Sequence, residues 1–316
     1  MRDNKWGLYL REPNWSVTEL REYVKRVDEQ FDYWGIYTND HLTGFDKSIG
    51  GRENYLEAWT FITTMLMWSK RLHGGHTVLC QSFRNPSLLA KMVSSLDILS
   101  GGRFELFLGA GWKEDEYLAY GYPFPPPGER LKQTEEAVDI LRNLFDPEIT
   151  GINLEGEFWS LKNSRNFPKP QTQPFPIHLG GSKIRFIRMA ARIADGFNTG
   201  GEIEKAIERF QVFDTEVKKL NGDPKDKVKS YFGSLHIFQS EEEALVKAKE
   251  IISNRMDSNK ITPEDFVRNR LWGTPEVLAD KLRRLNEIDV RFFVLKYQSS
   301  KGDPLVEFWD NVRPMI

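Results

Sequence analysis

The sequence predicts an α/β chain of the (β/α)8 TIM-barrel class, with one insertion after the fourth helix. Short β-type runs alternate with amphipathic helical stretches, the grammar of parallel strands covered by helices. Eight such pairs fit into 316 residues, and the glycine fingerprint that a doubly wound dinucleotide sheet carries after its first strand is missing. One core is permitted at that length, so a single domain over 1–316 is expected.

Residues 6–10 open as a strand. Ser16 and Glu19 then form an S-x-x-E capping box, and Leu20, Tyr23, Val24, Val27 and Phe31 follow at helical spacing, giving helix one a buried stripe. Strand two is expected at 33–39, and helix two carries Leu56, Trp59, Ile62, Thr63 and Leu66. Strand three is expected at 76–81. Asn85 and Pro86 take the cap and first position of helix three, which Gly101 and Gly102 end. Strand four is read at 104–108, and Leu131, Ala137, Val138, Leu141 and Leu144 mark one side of helix four.

Residues 146–175, rich in Pro, Gly and Asn, break this alternation, and 152–154 with 158–161 pattern as a small hairpin. We read an insertion there rather than a domain boundary. The alternation resumes with strand five at 177–179, helix five at 182–194 and strand six at 196–198. Helix six follows on Ile203, Ala206, Ile207 and Phe210, and strand seven spans 230–238. Ser240 with Glu243 makes a second capping box for helix seven, Thr274 and Pro275 begin helix eight, and 291–296 is the last strand.

Composition narrows the partners. The 44 basic and 46 acidic residues leave a net charge of −2, too little to attract nucleic acid or an anionic membrane. Cys80 is the only cysteine, which excludes an internal disulfide and any multi-cysteine zinc or iron–sulfur site. The N-terminus lacks the apolar core of a signal peptide, and no apolar run approaches the ~20 residues of a membrane span, so a cytoplasmic protein is expected. Partners are to be sought in pockets.

In a barrel of this class the active face lies past the C-terminal ends of the strands. Strand two delivers Asn39, Asp40 and His41 there; an imidazole exchanges a proton near neutral pH, and a neighbouring carboxylate fixes its tautomer. Gly109, Ala110 and Gly111 follow strand four, where bare backbone suits either a flat ring or a tight turn; Glu114 holds the third position of the dinucleotide pattern, which therefore fails. Trp112 could wall a pocket, and Glu114 could act as an acid. Gly180, Gly181 and Ser182 open a helix that also carries Lys183 and Arg185, so they form either a phosphate site or an ordinary cap. His73 and His76, three apart on a strand, face opposite sides and form no metal pair, so no metal is expected. Lys296 reads as a barrel-rim lysine rather than a Schiff-base nucleophile.

The segments Asn39-Asp40-His41-Leu42, Phe83-Arg84-Asn85-Pro86, Ser95 through Arg103 and Leu108-Gly109-Ala110-Gly111-Trp112 resemble the luciferase-like monooxygenase superfamily, most of all its coenzyme F420-dependent branch. Tyr120-Gly121-Tyr122-Pro123, Ile177-His178-Leu179-Gly180-Gly181 and Ala194-Asp195-Gly196-Phe197-Asn198 continue the likeness in order. The resemblance implies a homodimeric barrel with a deazaflavin or flavin ring across its mouth and His41 as acid or base, with Glu114 as a weaker second. It further implies Asp40, Leu79, Cys80, Gly109, Ala110 and Gly111 about the ring, the turn Gly180-Gly181-Ser182 at the phosphate, and a non-prolyl cis peptide within 78–81. Ala110 stands where light-emitting flavin members carry a phosphate-contacting arginine, which favours F420.

Three readings follow: an F420-dependent oxidoreductase; an FMN-dependent monooxygenase fed by a partner flavin reductase; and a barrel of the same kind without turnover. The substrate pocket is expected from the insertion 146–175 and the loop 43–52.

Overall fold

Strand and helix alternate as the apolar pattern requires, in a computed structural model that describes residues 4–11, 15–44, 54–253 and 261–316. The chain begins with β1 (Lys5–Tyr9), α1 (Val17–Gln30), β2 (Gly35–Thr38), α2 (Ala58–Trp68), β3 (His73–His76) and β4 (Leu79–Cys80). Next come α3 (Pro86–Ser100), β5 (Phe104–Gly109), α4 (Glu114–Ala119), α5 (Pro127–Phe145), β6 (Ile152–Glu155) and β7 (Ser160–Ser164). Then follow β8 (Ile177–Gly180), α6 (Ile184–Ile193), β9 (Gly196–Gly200), α7 (Ile203–Lys219), β10 (Val228–Ile237) and α8 (Glu241–Ser253). The last are α9 (Pro263–Arg268), β11 (Leu271–Gly273), α10 (Pro275–Glu287), β12 (Phe292–Ser299) and α11 (Pro304–Glu307).

The caps form for the expected reasons. The Ser16 hydroxyl accepts the Glu19 N–H at 3.2 Å while the Glu19 carboxylate takes the Ser16 N–H at 2.7 Å. Asn85 accepts the Ser87 N–H at 2.9 Å ahead of Pro86, and α3 ends on Gly101 at φ 70°.

Two compact units share these elements: Leu10–Asn198, and Met1–Tyr9 with Thr199–Ile316. Within the first, parallel pairing runs β2–β3–β5–β8–β9, with β4 also beside β5. β6 and β7 form a separate antiparallel hairpin inside the expected insertion. Within the second, β1 pairs with β12, β12 with β10 and β10 with β11, all parallel. Its core stacks Trp6 on Phe293 at 4.7 Å, and the Lys281 ammonium is sunk among the carbonyls of Val267, Arg270 and Trp272, each at 2.8 Å. Counting β3 and β4 as one interrupted strand and setting β11 aside, the described residues supply eight parallel strands, those of a (β/α)8 barrel. No helix among them is long and apolar enough to cross a membrane.

Several boundaries differ from the sequence reading. Strand three begins at His73, not 76, and breaks at a cis Thr77–Val78 peptide, the bond just ahead of the stretch expected to hold one. Gly74 and Gly75 make that earlier start look unlike a strand, yet glycine is what the packing takes: a Cβ on Gly75 would stand 2.3 Å from the Glu105 carbonyl oxygen. Helix five starts at Ile184 rather than 182, with Lys183 at its cap. α4, α9 and β11 were not anticipated, and residues 45–52 of the expected pocket loop lie outside the described residues.

Candidate active site

β2 is buried along its whole length and releases the chain at Asn39-Asp40-His41. Asp40, 3% exposed, faces inward and is fully committed. Arg84 donates to its two oxygens at 2.7 and 3.0 Å, and the Cys80 N–H adds a third bond at 2.8 Å. Burial pushes the Asp40 carboxyl above its ordinary pKa against the pull of Arg84. Arg84 reaches on to Glu57, the N-cap of α2, at 2.7 Å, so one guanidinium ties the end of β2 to the starts of α2 and α3.

His41 is held from the other side. Its Nδ1 lies 2.9 Å from Oε2 of Glu116, in the short helix α4, and its carbonyl accepts from Arg11 at 2.7 Å. Glu116, 2% exposed, also accepts the backbone N–H groups of Leu42 and Thr43 at 2.8 and 3.0 Å. Burial works to raise the Glu116 pKa, but the bonds from His41 and from the Thr43 and Leu42 amides outweigh it and hold the carboxyl below its usual range. An ionised carboxylate can only accept, so the proton of this bond sits on Nδ1 and Nε2 is the basic nitrogen of the neutral ring. The indole of Trp112, 65% exposed, stands edge-on to the imidazole at 5.6 Å.

The glycines have partners the sequence could not name. A Cβ on Gly109 would lie 2.6 Å from one methyl of Val78, and a Cβ on Gly180 would lie 2.4 Å from the other. Val78 is therefore wedged between the ends of β5 and β8. Gly111, at φ 72°, is required twice over, because a Cβ there would stand 1.8 Å from the Tyr117 hydroxyl. That hydroxyl lies 2.9 Å from the Cys80 sulfur, and burial pushes the Cys80 thiol up to about 12, so it is no nucleophile.

Strand pairing brings most of the expected residues level: Leu79 opposite Leu108, Cys80 opposite Gly109, Leu108 opposite Leu179 and Gly180 opposite Asn198. Ala110 is half-buried beside them. The Gly181 N–H is used in the sheet, donating to the Asn198 carbonyl at 3.0 Å. Ser182, Lys183 and Arg185 are exposed at the start of α6, which has no side-chain cap. Glu114 is exposed in the first turn of α4, and the carboxylate brought to His41 is Glu116, two residues on. Among the described residues no group of three or more His, Cys, Asp and Glu could hold a metal ion. Sequence reasoning missed Glu116, quoted Arg84 without a role and took Val78 only as the start of the stretch expected to hold a cis peptide; three successive acids from Glu114 to Glu116 are a helix-start signal that could have found the first.

Residues 11–291 match the family model described as luciferase-like monooxygenase. An F420-dependent glucose-6-phosphate dehydrogenase of Amycolatopsis mediterranei (strain U-32) is 27% identical over 194 residues, 61% of this chain and 56% of that protein. The chain spans less than two thirds of the length of the first curated relatives it matches. An FMNH2-dependent dimethylsulfone monooxygenase of Pseudomonas putida is 26% identical over 306 residues, 83% of each chain. The solved structure of an F420-dependent secondary alcohol dehydrogenase, in complex with an F420-acetone adduct, superposes with a TM-score of 0.81 at 16% identity over 100% of both chains. At that identity the likeness bears on the fold alone, and the fold is the (β/α)8 barrel.

Proposed function

The chain belongs to the luciferase-like monooxygenase family, and from that premise we propose that it is an F420-dependent oxidoreductase acting on a small alcohol, aldehyde, imine or activated alkene. The observation that carries this reading is the 2.9 Å bond between His41 Nδ1 and the buried Glu116 carboxylate. It makes a tautomer-fixed imidazole at a strand end, able to take a proton at Nε2 from a substrate hydroxyl or return one to it.

A deazaflavin or flavin fits the residues present. The Val78 side chain, set between Gly109 and Gly180, offers an apolar platform for a flat ring, with Leu79, Cys80, Ala110 and Gly111 about it. Ser182, Lys183 and Arg185 at the uncapped start of α6 are the donor set an anionic tail needs. When bound, a deazaflavin supplies hydride chemistry and a reduced flavin can in addition activate oxygen. The chain's own work is to orient His41 through Glu116, to brace the β2 and β4 ends through Asp40 and Arg84, and to hold the tail. In this proposal Glu116 takes the supporting acidic role first assigned to Glu114.

Titration with F420 and with FMN, followed by absorbance and fluorescence, tests the reading. F420 is expected to bind and to support turnover that depends on His41. Binding of FMN alone would replace it by the second reading, an FMN-dependent monooxygenase supplied by a separate reductase, which the Pseudomonas relative with its long alignment favours. A homodimer belongs to either proposal.

A further inference from the structure

The inserted hairpin is latched onto α5 by an exposed Lys132–Glu157 pair at 2.9 Å and by the carboxylate of Glu136. Glu136 accepts the backbone N–H groups of Glu157, Phe158 and Trp159 at 3.1, 3.1 and 3.0 Å, three successive amides converging on one anion. Gly156 permits that approach, since a Cβ there would stand 1.8 Å from the carboxylate. So held, Phe158 and Trp159 wall a pocket of about 240 Å3 that is also lined by Gln81, Asn85, Pro123 and Gln133.

The pocket's chemistry is specific. Arg84 is its one charged lining residue, and that guanidinium is already committed to Asp40 and Glu57. What remains is neutral. Gln81, 2% exposed, and Gln133 each carry a planar carboxamide, that of Gln81 with its oxygen accepting a long 3.5 Å bond from the hydroxyl of Ser82, which also lines the pocket, and a second lone pair left on it. Asn85 has its oxygen engaged by the Ser87 N–H, which leaves its NH2 group as the donor it can offer. Two aromatic rings and a proline supply faces for stacking. The volume falls below the roughly 300 to 1,000 Å3 of drug-sized sites, so it suits one ring.

We propose that this pocket binds a single flat, uncharged heteroaromatic ring bearing a carboxamide or a ring lactam. The edge of such a ring pairs with the carboxamides while its faces are buried against Trp159, Phe158 and Pro123. An anionic ring of the same size would lose its hydration without an uncommitted cation to replace it. The proposal does not depend on which cofactor the chain uses.

Nicotinamide is the probe and benzoate the anionic comparator, titrated into the full chain by calorimetry. Nicotinamide is expected to bind, with benzoate weaker by roughly tenfold or more, the size of one lost hydrogen bond. Gln133→Leu and Trp159→Ala should each weaken nicotinamide by about the same factor at an almost unchanged Tm. Glu136→Gln should weaken it too, without altering any lining side chain, because the latch loses its charge. Saturating F420 or FMN should leave the nicotinamide affinity unchanged. Absence of nicotinamide binding, a preference for benzoate, or wild-type affinity in folded Gln133→Leu and Trp159→Ala proteins would overturn the proposal. Displacement by F420 or FMN would overturn it too, by assigning the pocket to the cofactor, and the cofactor titration reads that outcome separately from the function proposed above.

Discussion

At the scale of single residues, the proposal gives His41 the acid–base role and Glu116 the positioning role. Deleting the imidazole in His41→Ala is expected to lower turnover by about 10²- to 10⁴-fold, the usual worth of a general acid or base. Cofactor affinity, read by fluorescence titration, should change little, and a variant as active as the wild type would remove His41 from the mechanism. Glu116→Gln keeps the side-chain shape but lets an NH2 face Nδ1, which favours the opposite tautomer. Its kcat should fall by roughly tenfold or more while KM moves less, and Glu116→Asp should recover part of the loss. Unchanged kinetics in the Gln variant would mean that the bond is structural only. The sequence singled out His41, because a histidine just past a strand end is chemically conspicuous. It named Glu114 and not Glu116, because both sit among consecutive acids and only the direction of a six-residue helix decides which one turns inward. Asp40 was named from the sequence, but its pairing with Arg84, forty-four positions away, was not legible there.

The elements show why some boundaries were hidden. β3 contains two adjacent glycines and continues as β4 only after an interruption, so neither half displays the alternation by which strands are recognised. α4 and β11, six and three residues long, are shorter than the window that periodicity needs. The long helices and their caps were readable because Ser16, Glu19, Asn85 and Pro86 act locally. The wedge of Val78 between β5 and β8 gives an element-scale prediction. Gly180→Ala would put a methyl 2.4 Å from Val78 and should cost about 1 to 3 kcal/mol in urea unfolding, as overpacking does. Adding Val78→Ala should return part of that loss, so the double variant is more stable than the sum of the single effects. Strict additivity would show that the two side chains do not compete for one space.

Over the whole molecule, the order of strands and helices was legible because each pair repeats the same burial pattern, whereas the division into two compact units depends on long-range packing that no local run reports. The same deep packing sets the response to acid. His76 is fully buried, stacked on Trp59 at 5.5 Å, and burial holds its pKa down to about 3. His236 is shifted the same way, to about 4, by burial and then by Lys247. In the unfolded chain both take a proton near pH 6.5, so between that pH and the folded values the unfolded state binds more protons, and stability falls as the pH falls. His76 alone should contribute a slope of about 1.4 kcal/mol per pH unit from 6.5 down toward 3, with the contribution complete once the folded imidazole also protonates. Unfolding free energies measured in urea between pH 7 and pH 4 should therefore decline more steeply for the wild type than for His76→Phe, which keeps an aromatic ring beside Trp59 and Phe104 but has no proton to bind. Parallel curves for the two proteins would mean that His76 takes up its proton over the same pH range folded and unfolded, and that the stacked imidazole is not held neutral by its surroundings.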